Sequence, residues 1–91
     1  MRTYLSIPQK DASRDLSWVK KVVEYSSEEK AVSCFDVVPS QNAPLPYRVS
    51  RRVEAILQCN YAVFCEGWKK DPICVLEHEA ARGFNISISY E

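Results

Sequence analysis

Two carboxylates, Asp71 and Glu77, stand six residues apart on a segment that reads as one helix. Asp71 is a good N-cap and Pro72 a good first helical residue. The helix runs to about Arg82, and Gly83 suits its C-terminal stop. Ile73, Leu76, Ala80 and Ala81 form its apolar stripe, and Glu77 falls on that stripe rather than on the solvated back. A carboxylate facing a sheet is costly unless it is paired, hydrogen-bonded or used in chemistry. Either Glu77 pairs with an Arg or Lys at the edge of the core, or it serves a site whose mouth Asp71 marks.

Other residues offer chemistry nearby. Arg48, Arg51 and Arg52 crowd the first turns of an amphipathic helix whose apolar face is Val49, Val53, Ile56 and Leu57. Arginine at a helix N-terminus would hold a phosphate; the alternative is a solvated basic face pairing with Glu54. Trp68, next to Gly67, could stack on a base or cover the core. Lys69 and Lys70 read as solvated. His78 points about 100° away from Glu77 on a helix and reads as a surface or packing residue. Cys34, Cys59, Cys65 and Cys74 contain no CxxC pair and, with the single His78, fit no zinc spacing, so they read as buried, reduced thiols. No metal or redox cofactor is implied.

The elements that must position these groups alternate along the chain. Thr3–Ile7, rich in β-formers and stopped by Pro8, reads as a strand. Leu16, Val19, Val22 and Val23 recur at helical spacing, with a cap at Asp11 or Ser13 and an end near Glu28-Glu29. Ala31–Val38 is a second apolar run, closed by Pro39, and reads as a strand. Pro39–Pro46, with three prolines, reads as a loop. The Arg-rich helix follows, then a strand over Tyr61–Cys65, the Asp71 helix, and an alternating strand over Ile86–Tyr90. The order β-α-β-α-β-α-β predicts an α/β domain: a small flavodoxin-like or Rossmann-like parallel sheet of four strands, order 2-1-3-4, with helices on both faces.

Composition bounds the rest. With 91 residues, 1–91 is expected to be a single domain, and a chain this short buries little more than ~60% of its unfolded surface, so self-association would help it. Formal net charge is zero, which argues against a nucleic acid polymer as partner. The N-terminal apolar run is too short for a signal peptide, and no stretch approaches the roughly 20 apolar residues that span a bilayer. A cytoplasmic protein with no membrane partner is expected.

In an open parallel sheet, ligands sit outside the carboxyl ends of the strands, where strand order reverses. For order 2-1-3-4 that is between the first and third strands. Pro8-Gln9-Lys10, Pro39–Tyr47 and Glu66–Asp71 are the loops concerned. At these residues the chain resembles a known family. Gly67-Trp68, Asp71, Leu76-Glu77-His78-Glu79-Ala80-Ala81 and Gly83 are similar to the nucleoside 2-deoxyribosyltransferase-like superfamily, in particular its short, phage- or bacterium-encoded branch (the DUF4406 group). Tyr4-Leu5-Ser6-Ile7-Pro8 resembles that family's first strand and turn, and Cys59-Asn60 its Cys-Asp.

The resemblance implies that Glu77 is a nucleophile attacking C1′ of a 2-deoxyribose, that Asp71 transfers a proton to or contacts the base, and that Tyr4 orients Glu77. Pro8, Gln9, Gly67 and Trp68 would contact the substrate, and Arg48 or Arg52 a phosphate. The activity implied is cleavage or transfer of the N-glycosidic bond of a 2′-deoxynucleoside or its 5′-monophosphate, in a homo-oligomer. A carboxylate suits the oxocarbenium-like centre left when the base departs, and a second acid can protonate that base. The chain departs from the family pattern at Ile7, Arg52, Asn60 and Pro72-Ile73, losing small residues where backbone approaches ligand. Those departures favour the alternative: a non-catalytic binding protein for a nucleotide or nucleotide-derived signal on the same fold.

Overall fold

The first strand forms over Arg2–Ser6 (β1) in a computed structural model that describes residues 2–11, 30–40 and 42–91. Strands β2 (Lys30–Ser33), β3 (Tyr61–Phe64) and β4 (Ser87–Tyr90) complete a sheet in the order β2-β1-β3-β4. All three pairings are parallel, and Tyr4 lies level with Val32 on one side and Ala62 on the other. The 2-1-3-4 order inferred from the alternation of elements is therefore the order observed. The helix expected from Leu16 to about Glu29, and the cover it would give the second sheet face, lie outside the described residues.

Apart from one-residue shifts at the ends of β1, β3 and β4, three boundaries differ from the expectation, each for a local reason. The second strand does not run to Val38. It stops at Ser33, and Cys34–Val37 forms a short helix, α1. Ser33 and Asp36 make a reciprocal capping box: the Asp36 amide donates to Ser33 Oγ at 3.1 Å, and the Ser33 amide donates to Asp36 Oδ2 at 2.9 Å. An apolar run alone does not reveal such a cap.

The next helix, α2, spans Leu45–Leu57 and so begins inside the segment expected to be loop. Pro44 is its N-cap and Pro46 lies in its first turn, where a missing N–H leaves no bond unmade. The last helix, α3 (Pro72–Gly83), keeps Gly83 in helical geometry. Its stop is made by Asn85 at φ 58°. The Ile86 amide donates to the Ala81 carbonyl at 2.9 Å and the Asn85 amide to that of Arg82 at 3.4 Å, a Schellman pattern with Asn in the left-handed position.

Helices α2 and α3 pack side by side. Their most buried residues are Arg52 and Ile56 on α2, and Cys74, Glu77 and Ala81 on α3. Ile56, Ala81 and Glu77 face inward as their spacing predicts, while other members of the expected stripes do not. Leu57 is 40% exposed and Leu76 46% exposed, because the inward positions are occupied by Arg52 and Glu77. The core gathers Tyr4, Leu5, Ile7, Ile56 and Phe64 with Cys34, Cys59 and Cys65. All four cysteines are buried. Among the described residues no helix is long and apolar enough to cross a membrane.

Candidate functional site

Strand alternation places Tyr4 and Ser6 on one face of β1, and α3 runs back across that face carrying Glu77. Tyr4 OH donates to Glu77 Oε2, and Ser6 Oγ donates to Oε1 at 2.9 Å. From α2, the Arg52 guanidinium donates to Oε1 at 2.5 Å. The Glu77 side chain has no exposed surface and that of Arg52 is 4% exposed. Arg52 also reaches Cys74 Sγ at 3.7 Å, and its Nε has no hydrogen-bond partner among the described residues. Three elements thus converge on one carboxylate. Of its partners, Tyr4 was expected to orient Glu77 and Arg52 was expected to face a phosphate. Ser6 was not singled out, although its spacing from Tyr4 on a strand puts the two hydroxyls together.

The charges in this cluster hold one another in place. Burial pushes the Glu77 carboxyl above the usual range, against the pull of Arg52 and of the Tyr4 and Ser6 hydroxyls. Burial works to lower Arg52, but the Glu77 carboxylate beside it, together with Cys34 and Tyr4, outweighs burial and holds the guanidinium above its ordinary value. A guanidinium is not deprotonated near neutral pH, so Glu77 is its counter-charge and the pair is ionised. Burial, reinforced by Glu77, drives the Tyr4 phenol well up, so Tyr4 acts as a donor only. Burial also pushes the Cys34 thiol up to about 12 against the pull of Arg52, and the Cys74 thiol up to about 11. These are inert thiols near neutral pH.

Asp71 sits at the mouth of α3. One oxygen accepts from the amides of Ile73 and Cys74 at 2.9 and 3.2 Å, and the other accepts from the Gln9 amide at 2.7 Å. It is an N-cap that also ties the turn after β1 to the helix. Around it lies a cavity of about 230 Å3 lined by Pro8, Gln9, Lys10, Gly67, Lys70 and Pro72 as well as Asp71. A larger cleft of about 650 Å3 opens beside it at the ends of β3 and β4, with Trp68, Tyr90, the lysines Lys10, Lys69 and Lys70, and the acidic Glu66 and Glu91 in its wall. Gly67, at φ 92°, turns the chain from β3 into the 3-10 turn Trp68–Lys70 and borders both spaces. Glu77 and Tyr4 line neither.

Trp68 is one of four rings packed together. It stacks on His78 with centroids 4.2 Å apart and lies 5.4 Å from Phe64 and 5.8 Å from Tyr90. His78 Nε2 and Tyr90 OH are 2.8 Å apart. Trp68 therefore packs against the core through Phe64, as the covering role expected, and it also borders the cleft. The Lys69 ammonium is 5.9 Å from the Trp68 ring centroid.

Of the residues singled out in the sequence, Glu77, Tyr4 and Arg52 meet in the core. Asp71, Pro8, Gln9 and Gly67 meet around the small cavity, and Gly67 and Trp68 border the larger cleft. Arg48 joins none of these groups; its Nε donates to the Ala43 carbonyl at 2.9 Å and secures the approach to α2. Arg51 pairs with Glu54 at 3.4 Å on the exposed face. Lys69 and Lys70, read as solvated, are exposed, and Lys10 lies in the Pro8-Gln9-Lys10 loop expected at the sheet edge; all three line the larger cleft. Comparison with known families, characterised proteins and solved structures finds no match to this chain.

Proposed function

We propose that this chain binds a nucleotide or nucleotide-derived signal at the carboxyl edge of its sheet without turning it over. The observation that carries this reading is the separation of cleft from carboxylate. The cleft at the strand ends, where open parallel sheets hold ligands, is lined by the aromatic residues Phe64, Trp68 and Tyr90, by Lys10, Lys69 and Lys70, and by Glu66 and Glu91, so three lysines face two carboxylates there. A base stacked on Trp68 and an anionic group among Lys10, Lys69 and Lys70 suit that lining. Glu77 lies beneath, without exposed surface, its oxygens engaged by Tyr4, Ser6 and Arg52. A nucleophile needs a lone pair that the sugar can approach, and an ion-paired, sequestered carboxylate offers none.

The glycosidic reading keeps one observation in its favour: two hydroxyls of β1 hold Glu77, as an oriented nucleophile requires. In that reading a Glu77 oxygen bonds to C1′ as the bond from C1′ to the base nitrogen breaks, the base takes a proton from Asp71, and water or another base releases the sugar. Arg52 would first have to yield its place. The test is to incubate the protein with a panel of deoxynucleosides and their 5′-monophosphates while following free base by chromatography and ligand binding by thermal melting. Binding without turnover gives a saturable rise in Tm with a nucleotide and no free base. Free base that disappears in Glu77→Gln, and in the doubly apolar variant Arg52→Met/Glu77→Leu, establishes the enzyme instead. No Tm shift and no base with any compound overturns both.

A further inference from the structure

Lys10 stands at the junction of the two spaces. It follows β1 on the 3-10 turn Gln9–Asp11 and lines both the 230 Å3 cavity and the 650 Å3 cleft. Its side chain lies across Gly67. A Cβ built on Gly67 would sit 3.0 Å from Lys10 Cε and 3.1 Å from Lys10 Nζ, so the bare backbone of that turn makes room for the lysine. Among the described residues Lys10 forms no ion pair or hydrogen bond and its side chain is exposed. The other cation common to both spaces is Lys70. Arg52, the arginine first expected to meet a phosphate, is committed to Glu77. Lys10 and Lys70, neither of them ion-paired among the described residues, are thus the cations left at the junction for a phosphate, and Lys10 is the one laid across Gly67.

We infer that Lys10 is the specificity-determining residue of this site, holding the phosphate of the ligand at the junction so that a nucleoside monophosphate is selected over the corresponding nucleoside. This rests on the binding reading above. An ammonium on a phosphate is a charge-assisted contact, and its loss lowers affinity for the phosphorylated ligand by roughly tenfold or more. The nucleoside, which makes no such contact, is bound as before. Lys70 contributes charge without the same placement, since it is not seated against Gly67.

The experiment titrates Trp68 fluorescence in a Trp18→Phe background, leaving Trp68 as the sole tryptophan. The probes are deoxynucleosides, their 5′-monophosphates and inorganic pyrophosphate, against the parent, Lys10→Met and Lys10→Arg. Circular dichroism verifies the fold of each variant. The parent should prefer monophosphate to nucleoside by roughly tenfold, Lys10→Met should reduce the ratio to within about twofold, and Lys10→Arg should restore most of it. An unchanged ratio in Lys10→Met overturns the assignment of Lys10 while leaving nucleotide binding intact. Pyrophosphate that perturbs Trp68 only when position 10 is basic, with no response to any nucleoside or nucleotide, upholds Lys10 as the anion ligand and rejects the nucleotide. Silence with every probe overturns both.

Discussion

Replacing Arg52 alone should destabilise this protein more than replacing Arg52 and Glu77 together. Glu77 has no exposed surface, and its Oε1 takes both Arg52 at 2.5 Å and Ser6 at 2.9 Å. Arg52→Met keeps the apolar stem and leaves a buried carboxylate with hydroxyl donors only. Glu77→Leu orphans a buried guanidinium. Breaking a buried pair from either side costs about 3–5 kcal/mol, out of a total of about 5–14 kcal/mol for a chain of this length. Replacing both partners by apolar side chains of similar volume ranges from neutral to stabilising by about 1–4 kcal/mol. Tyr4 and Ser6 then lose their acceptor, at about 1–3 kcal/mol each, so the double variant should fall near or modestly below wild type.

The coupling between the two sites should therefore be about 3 kcal/mol or more, measured as a double-mutant cycle by urea unfolding. The sign of the pH dependence adds a second check. Burial already pushes Glu77 upward, and removing Arg52 takes away the largest opposing influence. A folded pKa raised above the unfolded value of about 4.3 gives stability that is present below that value and lost as pH rises through the folded pKa. Arg52→Met should accordingly be more stable near pH 5 than near pH 7, and the double variant should not share that dependence. Additive single costs, or an Arg52→Met variant indifferent to pH over that range, would refute the buried pair as the organising contact between α2 and α3.

Two further perturbations test the surrounding frame. Asp71→Ala removes the side-chain acceptor for the amides of Ile73, Cys74 and Gln9, so calorimetric melting should show a loss of about 0.5–2 kcal/mol for the cap, with a further loss from the freed Gln9 amide. Cys34 and Cys74 hold their protons to about 12 and about 11 in the fold, against 9.0 ordinarily. Since raised folded values mean stability present below the unfolded pKa and lost above it, stability should fall between pH 9 and pH 11–12, with Cys34→Ser and Cys74→Ser each shrinking the fall. Thiol titration that runs to completion near pH 9 without unfolding would contradict this burial.

The topology was legible because it depends on coarse signals. Short β-rich runs stopped by Pro8 and Pro39, separated by helical periodicity, leave few solutions other than a parallel sheet with right-handed crossovers. The Asp71-Pro72 start of α3 was legible because capping chemistry is local in sequence. The α1 turn was not, since a Ser33–Asp36 box inside an apolar run competes with the strand signal rather than adding to it. Asn85 took the left-handed residue expected of Gly83 because the Schellman bonds fix the stop by carbonyl register, not by which nearby residue is a glycine.

The hardest feature to read was the one that organises the candidate site. A hydrophobic-stripe analysis assigns the inward face by summing apolar residues, and here the inward face of each helix carries an ion. The stripes Val49, Val53, Ile56 and Leu57 on α2, and Ile73, Leu76, Ala80 and Ala81 on α3, include the buried Ile56 and Ala81 but leave Leu57 and Leu76 exposed, with Arg52 among the most buried positions of α2. Glu77 alone signals a conflict, and Arg52 alone reads as one more arginine on a basic turn. Each explains the other only when α2 and α3 lie side by side. Arg52 is drawn in because Glu77 is buried, and Glu77 tolerates burial because Arg52, Tyr4 and Ser6 converge on it. Lys10, Gly67, Trp68 and Lys70, in the loops that follow the strands, border the 650 Å3 cleft, which Glu77 does not line. Glu77 thus joins β1, α2 and α3 through one buried carboxylate: two hydroxyls of the strand and the guanidinium of the neighbouring helix are fixed on it at once.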